Sequence, residues 1–267
     1  MRAYASYFRV RLKTGLQYRT AGWAGVATQF FWGFMLLMVY EAFYRSSGSV
    51  QPISMEQLAV YVWLQQAFLA FVMLWYRDNE LFDLILNGNV AYELCRPVNL
   101  YGFWYARLLA QRLASATLRC LPILAVAALL PRPFHLGLPA SVGAFFGFAA
   151  TLSLGLLIVV GLSMLIYTLT FITMSPAGTA LLFSVFAEFL SGGILAIPLM
   201  PDAWQKVLYF LPFAYTADLP FRMYSGNLPL SVLPEMLLRQ GGWAAALILA
   251  GAFSMRRVLW RVVVQGG

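Results

Sequence analysis

Charge is scarce in this sequence. Asp, Glu, Lys and Arg make up 10% of its 267 residues, where a soluble domain carries about a quarter. Histidine occurs once, at His135, so neither an H-E-x-x-H zinc site nor any paired-imidazole site can form. The two cysteines, Cys95 and Cys120, lack partners at metal-ligand spacing, and their expected places, on the cytoplasmic side and inside a span, do not suit a disulfide. Lysine occurs only as Lys13 and Lys206, and Lys13-Thr14 lacks the glycines of a Walker-type loop, which excludes ATP binding by that device. Gly161-Leu162-Ser163-Met164 lacks the closing glycine of a nucleophile elbow. No cofactor and no metal are expected on this chain.

What is abundant is apolar surface, 61% of residues, far more than one soluble core of this length can hide. Six segments approach or exceed the ~20 residues that cross ~30 Å of hydrocarbon: 21–43, 56–75, 108–130, 141–168, 176–197 and 234–255. The sequence therefore predicts an all-α integral membrane protein, one transmembrane domain over residues 1–267 with six transmembrane helices. The net charge of +8 would suggest nucleic acid in a soluble protein, but its placement points elsewhere. Twelve cations (Arg2, Arg9, Arg11, Lys13, Arg19, Arg77, Arg96, Arg107, Arg112, Arg256, Arg257 and Arg261) flank one side of the spans. Five (Arg45, Arg132, Lys206, Arg222 and Arg239) flank the other. By the positive-inside rule both termini are cytoplasmic. The basic N-terminal segment runs into a span of full length, with no cleavage signature of a signal peptide.

Within residues 1–20, Tyr4, Phe8, Leu12 and Leu16 recur every four positions with Arg9, Arg11 and Lys13 on other faces. That pattern predicts an amphipathic helix in the membrane interface, its rings among headgroups and its cations on anionic lipid; an ordinary cytoplasmic extension is the plainer alternative. Ser46–Gly48 with Pro52 reads as a short external turn. Residues 77–100 form the longest polar interruption. Arg77-Asp78-Asn79-Glu80 opens a short helix with Leu81, Phe82, Leu84 and Ile85 on an apolar face, and Asn87-Gly88-Asn89 stops it. Trp75, Tyr76, Trp104 and Tyr105 read as interfacial anchors. Residues 197–233 hold Pro198, Pro201, Pro212, Pro220 and Pro229 around an apolar stretch too short to cross, which predicts a broken hairpin dipping into the outer leaflet or, failing that, a folded surface loop.

The order of these pieces resembles the permease subunits of bacterial type-2 ABC exporters over nearly the whole chain. Gly88-Asn89-Val90-Ala91-Tyr92-Glu93-Leu94-Cys95-Arg96-Pro97 is similar to the G-x-(aliphatic)-x-x-x-L-x-R-P pattern of one subgroup of them. Pro198 through Trp204 and Pro212 resembles the P-x-x-W…P element before the last span. The resemblance implies a bacterial inner-membrane subunit that dimerises with itself or a related permease and works with a separate ABC ATPase. ATP and Mg2+ would sit on that partner. It implies that residues 78–86 are a coupling helix, with Asp78 and Glu80 at the rim and Leu81, Phe82 and Ile85 in a groove of the ATPase, ended at Gly88. The alternative is that the apolar residues face the chain's own helices.

Polar groups at membrane depth are functional candidates because each is unfavourable in hydrocarbon. Glu188 and Arg119 each lie about twelve residues into a span from the cytoplasmic side, so an ion pair is geometrically possible; Gln65 and Gln66 lie near mid-depth of the second. These four are expected in a pathway, in helix–helix contacts or at a protomer interface that Ser191-Gly192-Gly193 would let approach closely. Two other classes stay open: a membrane enzyme holding Mg2+ through Asp78, Glu80 and Asp83, and a non-transporting scaffold.

Overall fold

The computed structural model describes residues 2–17, 19–46 and 51–260. The Ser46–Gly48 turn and Arg261 therefore fall wholly or partly outside the described residues, as do the side chains of Arg2 and Arg19. Every regular element among the described residues is helical: α1 (Arg2–Gln17), α2 (Arg19–Ser46), α3 (Met55–Ala67), α4 (Leu69–Val72), α5 (Asn79–Leu86), α6 (Val90–Leu94), α7 (Leu100–Ala128), α8 (Val142–Thr173), α9 (Pro176–Leu190), α10 (Asp202–Leu208), α11 (Asp218–Tyr224) and α12 (Leu233–Leu259), with single 3-10 turns at Ile197–Leu199 and Leu230–Val232.

Helix boundaries follow local chemistry. Ser54 starts α3 with a capping box closed by Gln57. Asp78, Asn99 and Ser141 each accept a backbone N–H to start α5, α7 and α8. Pro176 and Pro234 occupy first turns, where a missing N–H loses nothing. Asn87 ends α5, and Gly88 follows at φ +71°, the left-handed step that the Asn-Gly-Asn run anticipates.

Among the described residues, four helices are long and apolar enough to cross a membrane: Gly22–Ser46 within α2, α7, α8 and Leu230–Leu259, which contains α12. α8 is apolar all round, and such a helix belongs inside. It is the central post: 67% of its apolar window is buried against 28% in each of the other three. Around it pack α12, α11, α7, α9, α4 and α5.

Two expected crossings are interrupted. The second divides at Phe68 into α3 and the single turn α4, and its last helical residue is Val72. The fifth is helical for 15 residues, about 22 Å, and turns at Ser191–Gly193 short of the hydrocarbon thickness. α1 packs along α7: the Tyr7 ring stacks on Phe103 at 3.8 Å, and the Asn99 backbone N–H donates to the Tyr4 hydroxyl at 2.9 Å. These two rings thus contact α7, whereas the periodicity assigned the aromatic face to lipid headgroups; Arg9, Val10 and Lys13 are the exposed side. Trp104, expected as an interfacial anchor, is fully buried, and its indole N–H donates to Glu93 Oε2 at 2.7 Å.

Candidate functional site

In the connection between α4 and α7, α5 is amphipathic, and its apolar face turns inward. Leu81, Phe82 and Ile85 are at most 5% exposed, and the Phe82 ring lies 4.6 Å from that of Tyr167 on α8. This corrects the expectation that these three fill a partner's groove. The C-terminal part of α8 already lies beside them and takes the hydrophobic face that a partner would otherwise cover. What faces outward is Asp83, Leu86, Asn87, Gly88 and Asn89, continued by Tyr92, Leu94 and Cys95; Tyr92 is 75% exposed. Of the residues expected at a docking surface, Glu80 and Gly88 are exposed, while Asp78 is buried.

Asp78, which caps α5, and Glu80 within it are committed to arginine; Asp83 stands on the exposed side. Both Asp78 carboxylate oxygens accept from Arg107, at 2.5 and 3.0 Å, and Asp78 Oδ1 also accepts the Glu80 backbone N–H. Glu80 pairs with Arg107 and with Arg11 of α1, the latter at 3.4 Å. Partial burial pushes the Glu80 carboxyl up, but Arg107 and Arg11 outweigh it and hold the group below its usual range. Oxygens so occupied are poor ligands for Mg2+, and no cluster of three or more His, Cys, Asp or Glu with metal-binding geometry occurs among the described residues. Asp78 and Glu80 thus form an ion-pair network and a helix cap, from which Asp83 stands apart.

Three interruptions of the membrane helices set the second part of the site. Where α4 ends, Arg112 of α7, 1% exposed, donates to the carbonyls of Ala70 (2.6 Å), Met73 (2.9 Å) and Tyr76 (2.7 Å) and to Ser163 Oγ (3.1 Å). The guanidinium also lies over the Tyr76 ring. Where α9 ends, the Tyr61 hydroxyl donates to the Gly192 carbonyl at 3.0 Å and the Gln65 amide to the Gly193 carbonyl at 2.8 Å, while the Ala196 N–H donates to the Tyr40 hydroxyl at 3.2 Å. Gly192 has φ +82°, and a methyl group there would lie 2.5 Å from the Tyr61 hydroxyl, so both conformation and space require glycine. Before α11, fully buried Gln240 of α12 donates to the carbonyls of Tyr215 (2.8 Å) and Thr151 (3.0 Å). The chain at Tyr215–Thr216 passes against Gly155, where an added methyl would lie 3.0 Å from the Tyr215 carbonyl oxygen. Gly155 lies thirteen residues, roughly 20 Å, along α8. Non-helical backbone at such a depth is tolerated where protein covers it and meets its hydrogen bonds.

The expected pair Glu188–Arg119 is not formed. The Arg119 guanidinium packs on Gly25 of α2, where an added methyl would lie 2.7 Å from its Cζ, whereas Glu188 sits on α9, whose main packing is on α8. Equal depth on two helices does not make them neighbours. Among the described residues no ion pair or hydrogen bond reaches the half-buried Glu188 carboxylate. Gln65 is a backbone clasp; Gln66 is buried beside it with Oε1 unpartnered. Ser191-Gly192-Gly193 serves a turn within the chain. The sequence reading missed Arg107 and Arg112, which it counted among surface cations. Their spacing of five on one helix and their place among apolar neighbours were the available signal. It also missed Asp218, fully buried and bonded to Arg222 at 3.3 Å and to the Tyr209 hydroxyl at 3.3 Å.

No curated protein matches the chain. The sequence matches the family model described as ABC-2 family transporter protein over residues 30–266, from the middle of α2 through α12. With its membrane-capable helices it is a multi-pass membrane protein, and it belongs to the ABC-2 family of transporter proteins, as a membrane permease component.

Proposed function

We propose that the chain is the pathway-forming subunit of an ATP-driven exporter of the bacterial inner membrane, working as a dimer with itself or a related permease. A separate ABC ATPase supplies ATP and Mg2+. The observation that carries this is the division of α5. Its apolar face is locked into the membrane domain, and its other side, with the loop after it, presents Asp83, Leu86, Asn87, Gly88, Asn89 and Tyr92 together. A rigid, exposed, mixed polar and apolar ridge on a basic face is suited to docking in a groove of a soluble partner. Six crossings are α2, α3–α4, α7, α8, α9 and α12, with 197–233 as a re-entrant hairpin and both termini cytoplasmic. The clasping of Tyr215 and Thr151 by Gln240 supports that hairpin, and lipid headgroups would meet Arg9 and Lys13 of α1.

The test has two parts. Leu86→Asp and Tyr92→Asp should each abolish co-purification of the ATPase encoded with the permease while leaving the melting temperature unchanged, since both side chains are exposed. Retention of the ATPase by both variants refutes the docking surface. In intact cells, Cys95 of a Cys120→Ser protein should be labelled by a maleimide only after permeabilisation, and Leu138→Cys (in a Cys95→Ser, Cys120→Ser background) should be labelled without it. The reverse pattern refutes the topology.

A further inference from the structure

Covalently, α5 follows α3 and α4. By contact it belongs to α8, and the Glu80–Arg107 ion pair ties it to α7. The connection from Ala70 to Glu80, left to water, would be a loose tether. Instead Arg112 holds three of its carbonyls, the Tyr76 hydroxyl bonds Ser115 of α7, Arg107 holds Asp78 and Glu80, and the Tyr167 hydroxyl of α8 accepts the Asp78 N–H (2.8 Å) and donates to the Asp78 carbonyl (3.1 Å). Arg107 and Arg112 are 3% and 1% exposed and stand five residues apart on α7. The covalent route is weak by comparison. The helix divides at Phe68, α4 is one turn long, and beyond Val72 the chain is not helical until α5. A displacement passes through packed, hydrogen-bonded contacts in preference to an interrupted helix.

We propose that Arg107 and Arg112 are positioning residues that make α7 the lever of the cytoplasmic helix, so that movement of α5 is delivered to α7 and α8 rather than along its own chain into α3. This rests on the reading of α5 and its loop as the ATPase-docking element. The guanidinium fork is what the task requires: Arg112 meets three carbonyls and a hydroxyl from one plane, which a lysine ammonium on its flexible stem cannot reproduce.

Hydrogen–deuterium exchange on the purified chain in lipid nanodiscs tests the clamp without any ATPase. Amides 74–88 should exchange about ten-fold faster in Arg112→Gln and in Arg107→Gln than in the parent protein, with the interior amides of α8 unchanged. Arg112→Lys should not restore protection, and Tyr167→Phe, which removes one hydroxyl, should give a smaller rise. Unchanged protection of 74–88 in both glutamine variants overturns the clamp; should either fail to fold, unchanged protection in Tyr167→Phe and Arg107→Lys does so. The lever is tested with nitroxide pairs at 86 and 121 (α5 to α7) and at 86 and 39 (α5 to α2), in a Cys95→Ser, Cys120→Ser background, in complex with the ATPase. On ATP addition the first distance should hold and the second should shift. A third pair at 86 and 56 (α5 to α3) should shift like the second, and shifts of 86–56 no larger than those of 86–121 overturn the lever. If no ATPase associates with the parent protein, the docking reading fails, and the exchange result alone still decides the clamp.

Discussion

Two regions solve one problem with opposite chemistry. At the C-terminal end of α4 and at the C-terminal end of α9, a helix stops and leaves carbonyls without helical partners. The break after α4 is closed by a charge, Arg112. The break after α9 is closed by neutral groups, Tyr61 and Gln65, with Tyr40 accepting from the backbone. The difference lies in how the freed groups are arranged. Ala70, Met73 and Tyr76 converge on one point at a helix C-terminus, where their dipoles sum to partial negative charge that a cation complements. Gly192 and Gly193 offer two carbonyls that diverge to separate donors, and a buried cation there would be poorly compensated. Charge belongs where carbonyls converge, and amides and hydroxyls serve where they do not.

The sharpest way to break this contrast is Arg112→Met. It leaves three buried carbonyls open at about 1–3 kcal/mol each, offset in part by relief of a buried charge, so a net loss of about 3–5 kcal/mol is expected. Thermal unfolding in detergent would show it as the largest destabilisation of the set. Gln240→Leu, which strips the amide from Tyr215 and Thr151, should lose about 1–3 kcal/mol by the same measurement. If it loses as much as Arg112→Met, convergence is not what sets the difference. A smaller effect concerns α1. Glu80 has a lowered pKa, so its contribution is complete above the ordinary value of 4.5 and is lost as pH falls through the lowered one. The distance distribution between labels at 10 and 92 should therefore stay narrow at neutral pH and broaden only as pH falls below 4.5 through the lowered value, where the Arg11–Glu80 contact goes. An unchanged distribution at pH 3 would assign the docking of α1 to Tyr4 and Tyr7 alone. The smallest effect is a null. Glu188→Gln and Arg119→Gln should have additive effects on the melting temperature, with a coupling within ~0.5 kcal/mol, because the two side chains do not meet.

Most of the architecture was legible in the sequence for a simple reason: bilayer length and helix caps act locally. Asp78, Asn87-Gly88 and Pro234 place helix ends to within a residue or two. The interruptions were half legible. The prolines of 197–233 announced a break, but nothing local in 56–75 separates α3 from α4, because Phe68 leaves the helix under tertiary packing. The site was least legible. Hydrophobic periodicity finds the apolar face of α5 without saying whether the chain or a partner covers it. Depth counting finds Glu188 and Arg119 without saying on which side of a helix a neighbour stands. Arg107 and Arg112 look in sequence like other cations near a membrane; only three-dimensional contact distinguishes a buried clamp from a headgroup ligand.

The Gln240 clasp also orders events in time. Tyr61 and Gln65 have been synthesised well before Gly192 and Gly193 emerge, so the α9 break finds its donors waiting. The Tyr215 carbonyl, and the second lone pair of the helix-bonded Thr151 carbonyl, find no side-chain donor until Gln240 is made, 25 residues after Tyr215 and 89 after Thr151. At ~5–20 residues per second the hairpin stays unlatched for at least a second or so of translation. Assembly therefore finishes from the C-terminal side: α12 is the bolt, and a ribosome stalled before residue 240 would hold a membrane protein whose segment before α12 is still unlatched and open to proteases.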